Sequence, residues 1–487
     1  MGKFGQTRWA GLSVVAAGLM AGVADAQTTQ TPPSDPQVVV PGRTPEPAPP
    51  TAQEGQAGVS TETTADGTAP GLNDVNRALA EQREAEPIQT GLIPIDSTRF
   101  LGTTVRGRSR PEFTAPGLRA GSFRIYPTVG LDLGYDANVF ATSNALGDAF
   151  GTVTGTVRAR SDWNRHQLGL DARLSQSEYA TYGTEGGTEY RLAGSGRLDI
   201  VGRNALEAVA VRQRVIVDRA NIGEIPNTER PLRYDETIGS LTGIVGEGRL
   251  LGRVGATYTR RSYEDNALID GTPLALGFRD ADRWELRADV GYQLRAAQTV
   301  FSSVTLDRRR GSAPVAGLPT VDSDGAQILV GVRGELSPLI RGQLAAGVLH
   351  QNFRSPLVRD VTGLALSSRV EWLPTELTTV TVSGERSLQT SALRDDLNYI
   401  ITSFDLRVDH ELLRNLLLLA QARYATADYR SSTRVDELYS IGSGADYFIS
   451  RNIRSTLRLT ASKRTSSGSI RPNFNDFVAT VGASYAF

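Results

Sequence analysis

From Phe123 to the end of the chain, apolar and polar residues take turns. Phe123, Ile125, Val129, Leu131, Leu133 and Tyr135 fall on one face of a period-two repeat, with Arg124, Thr128, Asp132 and Asp136 on the other. A period of two is the signature of a strand with one greasy and one wet side. The last eleven residues repeat it, with Phe477, Ala479, Val481, Ala483, Tyr485 and Phe487 interleaved by small or polar residues. Between these two segments the pattern recurs at 153–163, 168–174, 190–200, 209–217, 238–244, 250–258, 284–294, 300–306 and 328–336. It continues at 340–348, 364–372, around Val380, and at 404–408, 418–424, 439–449 and 453–459. That makes 18 strands, an even number, with 16 as the fallback because alternation is weakest around Val380 and Ile238. Tight turns such as 202–204, 246–248 and 450–452 alternate with longer polar loops such as 137–149, 218–232, 260–281 and 307–324. Short turns at one end and long loops at the other predict an all-β, transmembrane antiparallel up-and-down β-barrel over residues 122–487.

The first 121 residues lack the alternation. Lys3 and Arg8 precede the uncharged apolar stretch 10–23, and Ala24-Asp25-Ala26 fits a small-x-small cleavage site, so residues 1–26 read as a secretory signal peptide. Residues 27–121 read as a Pro/Thr/Ala-rich disordered periplasmic extension, because such a segment buries too little apolar surface to offset its ordering entropy. Leu72, Val75 and Leu79 have helical spacing and predict one short helix near 72–85. Arg106-Gly-Arg-Ser-Arg110 forms a basic knot with three readings: contact with lipid headgroups, a plug of the lumen from below, or simple solvation.

Composition narrows the chemistry. The chain has no cysteine, so an exported protein of this length draws its stability from elsewhere, which a closed sheet in lipid supplies. A net charge of −1 gives no basic excess for nucleic acid. Mean hydropathy is −0.24, compatible with a membrane barrel in which only alternate residues meet lipid. Trp163, Trp284, Trp372, Tyr126, Tyr234, Tyr258, Tyr399, Tyr424 and Tyr485 fall near strand ends, where aromatic girdles mark the membrane interfaces. His166, His350 and His410 are far apart and have no metal-ligand spacing, and Ser161 is merely a serine near His166. No catalytic residue, cofactor or metal site is expected.

Function is expected on the inner face. Lys3 and Lys463 are the two lysines, and every other basic residue is arginine. The alternation puts Arg158, Arg160, Arg173, Arg191, Arg197, Arg212, Arg214, Arg253, Arg287, Arg333, Arg423 and Arg458 inward as pore-lining candidates. Opposed charges on neighbouring strands would pair and stiffen the wall. A surplus of guanidinium would instead favour anions.

The segment Gly134-Tyr-Asp-Ala-Asn-Val-Phe140 resembles the opening of the Putative beta-barrel porin 2 family of proteobacterial outer-membrane proteins. The closing strand resembles that of bacterial outer-membrane barrels, whose terminal aromatic is read by the assembly machinery, so Phe487 is the expected assembly signal. The resemblance implies the outer membrane of a Gram-negative bacterium, with the lipid bilayer and the barrel assembly machinery as partners. It also implies a part in exopolysaccharide export, with polysaccharide and periplasmic export components as partners. A general diffusion porin for small solutes, anionic ones included, is the alternative, and a non-conducting structural or adhesion barrel the second. A porin predicts an inward-folded constriction loop, for which 260–281 and 307–324 are the candidates.

Overall fold

The structure, a computed structural model, describes residues 104–487 apart from 223, 296, 312–319, 321, 357, 392–397 and 469–472. The expected signal peptide and the expected helix near 72–85 lie outside the described residues. A three-residue strand, β1 (Leu118–Ala120), opens the sheet, and the first barrel strands follow as β2 (Phe123–Asp136), β3 (Asp148–Ser161) and β4 (Gln167–Tyr179). Next come β5 (Gly187–Asp199), β6 (Ala205–Ile216), β7 (Arg233–Glu247) and β8 (Leu250–Tyr263). A loop hairpin of β9 (Asn266–Ala267) and β10 (Pro273–Leu274) precedes β11 (Ala281–Arg295), β12 (Gln298–Gly311), β13 (Ser323–Ser337) and β14 (Ile340–Phe353). The wall continues through β15 (Val361–Thr375), β16 (Thr378–Thr390), β17 (Asn398–Leu413) and β18 (Leu416–Tyr429). It ends with β19 (Val435–Phe448), β20 (Ile453–Ser466) and β21 (Phe474–Ala486).

Each long strand pairs antiparallel with its neighbours, and β21 closes on β2 from Thr128↔Ala486 to Asp136↔Val478. With β1, β9 and β10 set aside, the closed wall has 18 strands. The two weakest segments of the alternation, around Ile238 and Val380, are full strands, so the fallback of 16 does not apply. Closure removes the sheet edges that lipid could not satisfy.

The barrel is inside out relative to a water-soluble core. Val129, Leu131, Leu133, Val153 and Val157 stand exposed on the outer surface, whereas Asp132, Thr154, Ser175 and Asp446 are buried on the inner one. Trp163, Trp284, Trp372 and Tyr485 are exposed near strand ends, as girdle residues are. Tyr234 and Tyr399, read as girdle residues from sequence, are buried in inner clusters instead. The strands also run further than the alternation showed: β8 reaches Tyr263 and β12 reaches Gly311, which shortens the loops expected at 260–281 and 307–324. From the aromatic row outward the residues on this face become charged, as at Arg308 in the row itself and Arg260 and Arg310 beyond it. The hydrogen-bonded ladder continues there, but the apolar signal stops.

The wall is crowded to backbone contact at several glycines, most tightly at Gly347. A Cβ on Gly347 would lie 1.7 Å from the carbonyl oxygen of Ile328 and 2.9 Å from the Cα of Leu329, its cross-strand partner. Gly347→Val is therefore expected to cost about 3 kcal/mol, the upper range for overpacking. Urea unfolding of the folded barrel in detergent measures it, and an unchanged midpoint would refute the close approach.

Candidate functional site: the barrel lumen

The inner wall is lined by charges that neutralise one another across the sheet. Arg158 and Arg160 both reach Asp171, at 3.1 and 2.9 Å. Arg197 bonds Glu207 at 2.6 Å, and Arg253 reaches the same carboxylate at 3.2 Å. Arg287 pairs with Asp289, Arg423 with Asp405, and Arg458 with Asp446. Arg191 donates to Gln213, Arg173 stands opposite Arg191 in register, and the guanidinium of Arg333 lies 5.4 Å from the ring of Phe301. The pairing of opposed charges accounts for most of these arginines.

Arg212 and Arg214 are corrections. They stand cross-strand from Leu192 and Tyr190 on the outer surface, where they bond Asp235. The reading of β6 took its valines as lipid-facing. In the structure Val211 and Val215 are buried inward, and Val215 packs with Val217, Leu232, Tyr234, Leu276 and Phe278. A greasy cluster inside the mouth inverted the meaning of the alternation.

That cluster anchors a segment crossing the lumen. Residues 217–232 join β6 to β7, with the Val217 N–H donating to the Leu232 carbonyl at 2.7 Å. Around the wall, seven strands separate this pair from β17 and β18 in either direction, so the two pairs are diametrically opposite. The segment nevertheless touches the far side: Tyr399 Oη donates to the Ile222 carbonyl at 3.2 Å, and Ile222 packs with Ala425, Ala427, Tyr429 and Leu438. Arg464, buried against the ring of Phe474, donates to the Ala220 carbonyl at 3.3 Å. Arg219 is held by Glu185 of the β4–β5 loop at 2.5 Å. Burial pushes the Glu185 carboxyl above its usual range, and its bonds with Arg219 pull the other way. The expected loop 260–281 contributes too, since Leu276 and Phe278 brace the base of the crossing. Among the described residues loop 218–232, not singled out from sequence as a constriction, crosses the lumen; of the other expected loop, 307–324, residues 312–319 and 321 lie outside the described residues.

The turn end is crossed by the chain leading into β1. Val105 is fully buried and its N–H donates to Thr379 Oγ1 at 2.9 Å. Arg106 bonds Asp409 at 2.7 Å and Asp446 at 3.1 Å. Arg108 and Arg110 reach Glu411 at 3.3 and 2.6 Å. Arg414 holds Glu112 at 2.6 Å, and Phe113 rests on Phe448. Of the three readings of the basic knot, these contacts agree with entry into the lumen from below, and residues 105–113 are laid against the wall there while β1 pairs with the start of β2. The spacing Arg-x-Arg-x-Arg is the sequence signal, since alternate residues of an extended segment share a face. Asp409 and Glu411 gave no comparable signal.

Each of these carboxylates also has a wall partner: Arg407 for Asp409, Arg414 for Glu411, and Arg454 with Arg458 for Asp446. This ion-pair group therefore joins seven guanidiniums to four carboxylates, Glu112 included. It carries a surplus of three positive charges, equal to the three arginines of the knot.

Ser161 and the three histidines each have other hydrogen-bond partners. Ser161 Oγ accepts from the Leu168 N–H, while His166 Nδ1 accepts from the Asp199 N–H. His350 and His410 bond Thr362 and Thr378. Phe487 stacks edge-on against Tyr485, and its N–H donates to the Pro127 carbonyl at 3.0 Å, which ties the chain end to β2.

A family model described as Putative beta-barrel porin 2 matches residues 110–487. No curated protein matches the chain. Among solved structures, the outer membrane protein opdK of Pseudomonas aeruginosa aligns at 10% identity with a TM-score of 0.42, covering 74% of this chain and 99% of that one. A BenF-like porin from Pseudomonas fluorescens Pf-5 aligns at 11% identity and a TM-score of 0.43, over 75% and 98%. OccK2 (OpdF) of Pseudomonas aeruginosa in complex with glucuronate gives 13% and 0.41, over 75% and 98%.

Proposed function

The chain belongs to the Putative beta-barrel porin 2 family, and on that premise we propose that this outer-membrane channel passes small solutes, anions in preference to cations. The chord of residues 217–232 carries the reading. A wall of 18 strands is wide enough for a broad aqueous bore, but a peptide segment anchored on both sides divides it at the loop end. Small hydrated solutes pass beside such a chord, whereas a bulky polymer would need it withdrawn.

The anion preference rests on the turn end, which we read as periplasmic, with the preceding residues as a periplasmic tail. The wall arginines are mostly neutralised by neighbours, so the surplus positive charge comes from Arg106, Arg108 and Arg110. Fixed guanidiniums at a narrow place lower the entry cost for anions and raise it for cations.

Swelling of vesicles carrying the purified barrel tests the reading. A small organic anion should enter faster than a neutral sugar of similar size, and a long oligosaccharide should stay outside. Equal rates for anion and sugar would remove the charge preference, and entry of the oligosaccharide would remove the size limit. Exopolysaccharide export, the role implied by the family resemblance, is the second reading. A clean deletion strain that retains polymer in the periplasm and releases none would move the assignment to export; unchanged release keeps the small-solute reading.

A further inference from the structure

The outer surface of the wall carries a groove of about 830 Å³ whose floor is apolar and whose loop-end rim is charged. Its floor is one cross-strand row, Leu241, Ala256, Leu286 and Leu306, in register across β7, β8, β11 and β12. The next row toward the loop end reads Gly239, Tyr258, Trp284, Arg308 and Asp324. Gly239 has open space where a Cβ would stand, so the row dips before rising to the Tyr258–Trp284 ring pair, with centroids 5.6 Å apart. That pair is the girdle on this side, and Tyr258 Oη is tied down by Asp282 at 2.7 Å.

Along the girdle row and just beyond it, three guanidiniums converge on one carboxylate. Arg308, Arg310 and Arg354 lie 2.7, 3.1 and 3.4 Å from Asp324. Arg308 and Arg354 remain 62% and 53% exposed, so their donors are available to a further anion. Arg260 and Asp282 share this edge in register, and Asp280, Asp322 and Asp360 along it accept from Tyr263, Gly311 and Phe353 N–H groups, so the local positive charge is that of the three arginines gathered on Asp324. Outward charges here are poorly placed for hydrocarbon and well placed for a headgroup layer.

We propose that this groove binds a phosphate-bearing membrane lipid, with an acyl chain along Leu241, Ala256, Leu286 and Leu306 and the phosphate on Arg308 and Arg354. Guanidinium forks match phosphate oxygens bidentately, and the two exposed guanidiniums gathered on the single carboxylate of Asp324 are complementary to that headgroup. The proposal requires only that the barrel stands in a membrane, and it is independent of what the lumen carries.

Native mass spectrometry of the full barrel in detergent tests it, using phosphatidic acid as probe and diacylglycerol with the same chains as control. Phosphatidic acid should be retained about tenfold more tightly than diacylglycerol, and R308A/R354A should lose about that factor. Ala256→Trp, which fills the floor and leaves the arginines in place, should weaken retention as well. Heat-modifiable gel mobility confirms that each variant is folded. Retention by R308A/R354A equal to that of the natural chain would overturn the headgroup site. Retention by Ala256→Trp equal to that of the natural chain, or full displacement by inorganic phosphate at matched concentration, would overturn the groove.

Discussion

In a planar bilayer, the full chain carrying R106A, R108A and R110A is expected to show about 1.3 times the natural conductance and to lose its anion preference. Three observations combine to give this. The knot lies across the turn-end mouth, where its side chains reach two strands of the wall, β17 through Asp409 and Glu411 and β19 through Asp446. Removing three long side chains widens the passage. It also removes the whole surplus of positive charge from the ion-pair group, because the three carboxylates keep Arg407, Arg414, Arg454 and Arg458. Buried carboxylates left with no cation would be costly, so these remaining partners are what lets the variant fold. The reversal potential in a salt gradient separates the two effects: width changes conductance alone, and charge changes selectivity. High salt should narrow the selectivity difference, since the Debye length falls to about 3 Å at 1 M. If both conductance and reversal potential match those of the natural chain, the knot is not part of the conducting path.

Replacing residues 219–230 by a short glycine-serine turn is expected to raise conductance about threefold and to admit oligosaccharides that the natural barrel excludes. The hydrogen bond between Val217 and Leu232 already brings β6 and β7 together, so a short turn can join them without straining the wall. Leu276 and Phe278 remain to cover the inward valines. The change deletes Ile222 from its pocket against Tyr399 and Ala220 from Arg464, which severs the chord at its far anchor. Two constrictions in one path act as resistances in series, so the single change with the larger effect identifies the narrower place. The double variant should exceed either one alone. An unaltered conductance and size limit would show that solutes already pass clear of the segment.

The alternation that began at Phe123 made the barrel legible because lipid outside and water inside impose opposite demands on successive side chains. All 18 strands lie where that pattern placed them, and the short-turn, long-loop rhythm marked the two ends. The same reading failed where the inside is not wet. Val211 and Val215 obey the alternation with its sense reversed: both are buried inward, and loop residues Leu276 and Phe278 give Val215 an apolar partner within the mouth. Arg212 and Arg214 were carried to the wrong face as a result. Tyr234 and Tyr399 had the type and position of girdle residues, and only their burial beneath inward loops separates them from Trp284 and Trp372.

The arginines show the same division from the side of charge. Sequence spacing put Arg158 and Arg423 on the inner face, because face is a local property of a strand. It left undecided whether a cation there would be neutralised, because the answer depends on register with Asp171 and Asp405 on the next strand. What the chain determined by itself was the repeating choice between lipid and lumen, a one-dimensional pattern that each residue states for its own position. What the tertiary structure decided was how the bore is divided: Ile222 meets Tyr399 across 177 positions of sequence, and Arg106 meets Asp409 across 303. Such contacts follow from closing the sheet, which brings distant segments face to face, and no local period records them.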